Sequence, residues 1–322
     1  MLNRLILLAI LCVLTSFQAH SEEQFWASVQ LLEKAQTQNS PQLLVANRNL
    51  QVKHYNKKTN CVAVVFHGLF QSPKDMQSLI NYFYEKQCNV VAPLLAGHWR
   101  KDTRAFYKIN HLDWKKQGLS TLKAASHLGE KIILVGHSTG GLLAFSLALE
   151  QAKAYNIVGL VLFSPALKLT THVRLFAKYG SRLNLNANSL TTSHSYNQNI
   201  NPPASEYDMQ LRPAMAGRHV QSFIESIFES DLSRQEVYKS LTVPTLLISS
   251  ENDSTILHSE VLKMHQANTQ LFKLIAYDKS SGIKHDNIQR TPLDLETGAP
   301  SSWSNPFFSG ILSQIDSLLK SN

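Results

Sequence analysis

Cysteine is scarce: three residues in 322, at positions 12, 61 and 88, too few to staple a small fold. No Cys-x-x-Cys pair and no His-Glu-x-x-His run is present, so no metal is expected. Charged residues make up only 17% and form no long run of one sign. With no zinc-finger, helix-turn-helix or RNA-binding signature, the chain offers nothing to recognise nucleic acid, and no phosphate-cradling glycine loop calls for a nucleotide cofactor. The 13 glycines and 11 prolines are scattered and no period of 20 to 50 residues recurs, which excludes collagen-like, solenoid and propeller architectures. Apolar runs long enough to span a bilayer, about 20 residues, are also missing. What remains is 43% hydrophobic content over a length suited to one large α/β domain.

The longest apolar run, 5–14, follows Arg4 and precedes Ala19-His20-Ser21, which places small residues at −3 and −1 of a cleavage site. This reads as a signal peptide over 1–21, cut before Glu22, and as export to a periplasm or to the exterior; residues 22–322 then form a single domain. Losing Arg4 takes the basic count from 31 to 30 against 23 acidic residues, a net charge of +7. The exported chain keeps Cys61 and Cys88, each at the start of an apolar strand. If those strands lie side by side and parallel, their first residues come within about 5 Å, inside the reach of a disulfide. Two buried thiols are the alternative.

Along the chain, Phe25, Val29, Leu32 and Ala35 recur at helical spacing and predict a helix over 22–37. Leu50 and Val52 mark a weak strand. Short apolar runs then alternate with helical segments: strands at 61–66, 89–92, 131–136 and 157–164, helices at 73–86, 114–128 and 139–154. Such alternation predicts a mostly parallel sheet with helices on both faces. The pattern breaks over 168–238, a polar stretch read as a cap over the site. It resumes with a strand at 243–249, a helix at 258–267, a strand at 271–277 and a last helix at 306–319.

Gly136-His137-Ser138-Thr139-Gly140 follows a strand and opens a helix, the setting of a nucleophile elbow. A serine hydroxyl needs an imidazole to take its proton and a carboxylate to orient that imidazole. Asp253, just past the 243–249 strand, is the candidate acid, with Glu251 as its rival; His285, in the loop after the next strand, is the candidate base. Among the other histidines, His137 is expected to pack beneath the elbow and His98 to order a loop. The tetrahedral oxyanion needs two backbone donors. Thr139 follows the nucleophile, and Leu69 follows Phe66-His67-Gly68 at the end of the first strong strand.

These motifs, with 91–98 (Val-Ala-Pro-Leu-Leu-Ala-Gly-His), Phe163-Ser164-Pro165 and Gly282-Ile283-Lys284-His285, resemble the serine α/β-hydrolase superfamily. The similarity is greatest to the branch of monoacylglycerol lipases, lysophospholipases and serine aminopeptidases. Trp99 departs from it, standing where a small residue is usual. The resemblance implies Ser138, Asp253 and His285 as triad, Leu69 and Thr139 as oxyanion hole, no cofactor, and a cap inserted after the sixth strand. It also implies an ester hydrolase, lipase-like, working through an acyl-enzyme on a small-molecule or lipid ester. A peptidase or amidase differs only in its leaving group, and a non-catalytic binding protein would have no reason to keep the order Ser, Asp, His.

Between Lys168 and Ser205 there is no acidic residue, and Arg174, Lys178 and Arg182 recur every four residues opposite Leu169, Val173, Phe176 and Ala177. This is a basic amphipathic cap helix suited to peripheral contact with an anionic membrane. The plainer reading is a helix whose apolar side lies on the core while its charges are solvated.

Overall fold

The computed structural model describes residues 2–43, 49–102, 104–185, 212–228, 231–291 and 304–320. Seven strands form one sheet: β1 (Gln51–Lys53), β2 (Thr59–Phe66), β3 (Asn89–Ala92), β4 (Gly129–His137), β5 (Ile157–Phe163), β6 (Thr245–Ser250) and β7 (Phe272–Tyr277). Their spatial order is β1-β3-β2-β4-β5-β6-β7. Only β1 runs antiparallel, pairing Val52 with Val91. All other neighbours are parallel.

The apolar runs are continuous rather than alternating because both faces of the sheet are covered. Val62, Val64, Ile132, Leu134, Leu160 and Leu162 point to one side, into a core shared with Trp114, Leu143, Met264 and Phe25. The intervening Ala63, Val65, Ile133, Val135, Val161 and Phe163 point to the other, against Leu79, Phe83, Ile311 and Ile315. The first layer comprises α1 (Leu2–Asn39), with α3 (His111–Ala125), α4 (Thr139–Gln151) and α8 (His258–Ala267); the second comprises α2 (Gln77–Glu85) and α9 (Phe308–Lys320). The start of α3 is set by Asn110, whose side chain accepts the Leu112 amide while Asp113 accepts that of Asn110, both at 2.8 Å.

Three elements differ from the sequence expectations. The first helix, expected from residue 22, begins at Leu2 and runs unbroken through the expected cleavage point; Phe25, Val29 and Leu32 seat its later turns in the core. Among the described residues the cap insertion follows β5, the fifth strand, because a single strand precedes residue 59. The basic cap helix is short: α5 (Thr171–Leu175) passes into a π-helical turn at Phe176–Gly180, followed by α6 (Ala214–Ile227) and α7 (Asp231–Ser240). Residues 186–211 of the cap lie outside the described residues.

Cys61, in β2, and Cys88, just before β3, are joined by a disulfide with Cα atoms 4.8 Å apart. The parallel register that pairs Val62 with Asn89 brings them together.

Candidate active site

The carboxyl ends of β2, β4, β6 and β7 converge on one edge of the sheet, and each delivers one piece of the site. Ser138 occupies the turn between β4 and α4 at φ 54° and ψ −117°, a region disfavoured for any residue with a Cβ. Two glycines make that turn possible: a Cβ on Gly136 would strike the backbone of Gly140, and one on Gly140 would strike that of Phe66 and His67. The turn is pinned on both sides, since the Ser138 amide donates to the Phe163 carbonyl and the Ser138 carbonyl accepts from Ala166, each at 2.9 Å.

The Ser138 hydroxyl lies 2.9 Å from His285 Nε2, and His285 Nδ1 lies 2.6 Å from Asp253 Oδ2. All three side chains are buried. The other carboxylate oxygen of Asp253 accepts the amides of Thr255 and Ile256, both at 2.8 Å, so the carboxylate cannot turn away from the imidazole. Burial works to raise the Asp253 pKa, but the His285 charge and hydrogen bond, with those two amides, outweigh it and hold the carboxyl below its ordinary 3.8. At His285 burial works to lower the pKa; the facing Asp253 carboxylate, aided by Asp286, lifts it above 6.5. The two shifts agree in favouring an imidazole that accepts and holds a proton beside an ionised carboxylate. Glu251 is exposed, and the imidazole is bonded to Asp253 instead.

Leu69 and Thr139 flank the serine. Thr139 opens α4, where the first amides have no intrahelical acceptor. Gly68 packs so closely on the elbow that a Cβ there would come 3.2 Å from that of Ser138 and 2.7 Å from His137 Nδ1, and the next residue, Leu69, lines the same cavity as Ser138. His137 lies under the elbow as expected, 1% exposed. His98 orders its loop, with Nδ1 3.1 Å from the carbonyls of Leu95 and Ala96.

Residues with no signature in the sequence complete the arrangement. Gln71 accepts the Gly68 amide at 3.0 Å, and the indole of Trp99 donates to the Gln71 carbonyl, also at 3.0 Å. Trp99, itself at φ 52° and buried, thus braces the segment that carries Leu69. A cavity of about 510 Å³ opens above Ser138, with Phe70, Leu169, Val173, Phe176, Val220 and Ile256 among its walls. The expected apolar side of the basic helix faces this cavity. Polar groups at the cavity include His172, Arg212, Thr255 and Asp286. No group of residues suited to holding a metal ion occurs among the described residues.

A parallel sheet with an elbow serine, a following acid and a final histidine defines a serine hydrolase of the α/β-hydrolase fold. The family described as serine aminopeptidase, S33, matches residues 57–281, and the chain belongs to it. Solved structures share the fold at low identity. A lipolytic enzyme of the metagenome-derived LipS and LipT pair superposes with a TM-score of 0.61 at 13% identity, covering 85% of this chain and 98% of the other. The monoacylglycerol lipase of Paleococcus ferrophilus gives 0.58 at 18%, covering 84% and 99%. A soluble variant of the Saccharomyces cerevisiae monoglyceride lipase, in complex with a substrate analogue, gives 0.59 at 13%, covering 84% and 90%. No curated protein matches the sequence.

Proposed function

We propose that the protein is an exported serine hydrolase that cleaves lipid-like carboxylic esters through an acyl-enzyme on Ser138. The observation that carries the reading is the unbroken relay from Ser138 through His285 to Asp253 at 2.9 and 2.6 Å. Ser138 Oγ attacks the ester carbonyl carbon as its proton passes to His285 Nε2, and the charge on the carbonyl oxygen is met by the amides of Leu69 and Thr139. The C–O bond to the alcohol then breaks, with the alcohol taking the proton from His285. Water, deprotonated by the same imidazole, attacks the acyl carbon and releases the carboxylic acid and Ser138.

The cavity walls favour an acyl chain over a peptide. An aminopeptidase must hold a free α-ammonium group, and among the described residues Asp286 is the one carboxylate lining the cavity apart from the triad. Two of the fold neighbours act, by name, on monoacylglycerols. Nitrophenyl esters of graded chain length, assayed beside aminoacyl nitroanilides, test the reading. Turnover of medium or long acyl esters with none of anilides is expected, and the reverse overturns it. A fluorophosphonate should label Ser138 and leave Ser138→Ala unlabelled; a folded wild type that resists labelling means a binding protein.

Export rests on Arg4, the apolar run at 5–14 and the small residues before Glu22; among the described residues no helix is long and apolar enough to cross a membrane. Contact with an anionic bilayer through the cap rests on Leu175, Tyr179 and Leu183, which are 45%, 50% and 70% exposed and each follow one of the basic residues Arg174, Lys178 and Arg182. Apolar and cationic groups thus share the outer face of α5 and the turns after it. Sedimentation with phosphatidylglycerol vesicles but not with phosphatidylcholine vesicles is expected, weakened by Lys178→Glu.

A further inference from the structure

The segment after β7 that carries His285 is held from the first half of the chain at two points. His137 Nε2–H donates to the backbone carbonyl of His285 at 2.9 Å, and the two rings are 4.9 Å apart. Arg290, whose Nε–H donates to the Asp286 carbonyl at 2.9 Å, also reaches the Asp75 carboxylate at 3.3 Å across 215 residues of sequence. Both anchors lead back to the segment after β2. Gln71 Oε1 accepts the Gly68 amide at 3.0 Å and lies 2.8 Å from His137 Nδ1, so the ring, kept neutral by burial and with its one N–H given to His285, is packed against this segment. Asp75 accepts the amide and hydroxyl of Ser72, each at 2.8 Å. Leu69, the expected oxyanion donor, sits between Gly68 and Gln71. His137, Gln71, Ser72, Asp75 and His285 are buried, so the contacts among them are made away from competing water, whereas Arg290 meets the Asp286 carbonyl at the surface.

We propose that His137 is a positioning residue which, with the Asp75–Arg290 pair, joins the base loop and the oxyanion segment into one rigid clamp around Ser138. The distance between the His285 imidazole and the Leu69 amide is set by this clamp, not by the triad alone. Proton transfer and oxyanion binding therefore stay in register as the substrate carbonyl becomes tetrahedral. The proposal rests on the ester hydrolase reading and adds to it which residues outside the triad set the turnover rate.

The test uses the full chain and a nitrophenyl ester. His137→Phe keeps a ring and removes the donor; His137→Gln restores a donor near the Nε2 position. The first should lower kcat by about ten- to a hundredfold, the effect of leaving one buried carbonyl unpaired at the site, while KM stays within about twofold. The second should recover most of the loss. Arg290→Gln, at the surface, should lower kcat by about three- to tenfold, and the double variant should lose less than the product of the two losses, because both release one segment. A folded His137→Phe with wild-type kcat, a loss that His137→Gln leaves unrecovered, or losses that simply multiply would overturn the clamp. If His137→Phe does not fold, Arg290→Gln decides: unchanged kcat sinks the proposal. Wild type that is not labelled at Ser138 fails the ester hydrolase reading itself, whereas labelled wild type with unaffected variants fails only the clamp.

Discussion

At Asp253 one carboxylate performs two separable tasks, orienting the imidazole and raising its basicity. Asp253→Asn keeps the shape and removes the charge, and in other triads this change costs on the order of 10⁴ in kcat by releasing the wrong tautomer. The same loss is expected here, while Glu251→Gln should be near neutral because Glu251 is exposed and off the imidazole. The pH profile follows from the same pair. His285 acts as base only when unprotonated, and Asp253 holds its pKa above 6.5. Thus kcat/KM should fall as pH drops through a midpoint above 6.5, and in Asp253→Asn that midpoint should move to lower pH. A wild-type midpoint below 6.5 would remove His285 from the role of base. Ser138, Asp253 and His285 were legible because each sits at a strand end beside a local signal, a Gly-x-Ser-x-Gly turn or a polar loop after an apolar run. Gln71, Asp75 and Arg290 were not. A glutamine or arginine in a loop has no periodicity, and its partner, up to 215 residues away, is set only by how the strands are ordered in space.

The elements most easily read were the strands of the doubly covered sheet, whose β-branched runs need no alternation. β1 was faint because three residues pairing at an antiparallel edge leave little pattern. The upstream reach of α1 was masked, since an apolar leader and the first turns of a helix look alike in sequence. The cap was legible as an interruption but not as a structure. Its anchorage depends on α7, where Arg234 donates to the Leu167 carbonyl at 2.9 Å, lies over the Phe228 ring at 4.1 Å and meets Glu260 of α8 at 3.5 Å. Tyr238 donates to the same Glu260 at 3.0 Å. Removing the buried carboxylate strands a buried cation, so Glu260→Ala should destabilise the chain by about 3 to 5 kcal/mol in urea unfolding. The Cys61–Cys88 bridge closes a separation of 27 residues and is worth about 3 kcal/mol in the chain-entropy account. The Cys61→Ala, Cys88→Ala double variant should therefore unfold at lower urea by that amount, and equal midpoints would show that the bridge adds nothing.

Across the whole molecule, the pieces of the site arrive in chain order and the sheet keeps that order: β2 and β4 lie at the centre, and β6 and β7 extend one side. The last element matters as much as any in the middle. α9 lays Phe308, Ile311, Ile315 and Leu318 under the sheet, while Asp316 accepts from Tyr82 at 2.6 Å and pairs with Lys86 at 2.8 Å on α2. A chain ending at residue 303 should therefore be insoluble or unfolded, as circular dichroism of any recovered protein would show. The serine and both expected oxyanion donors lie before residue 140, but the acid and base come from the loops after β6 and β7, beyond the cap. During synthesis the nucleophile is consequently disarmed until the chain has grown past the cap to residue 285, so a nascent chain holding the elbow alone has neither acid nor base beside its serine.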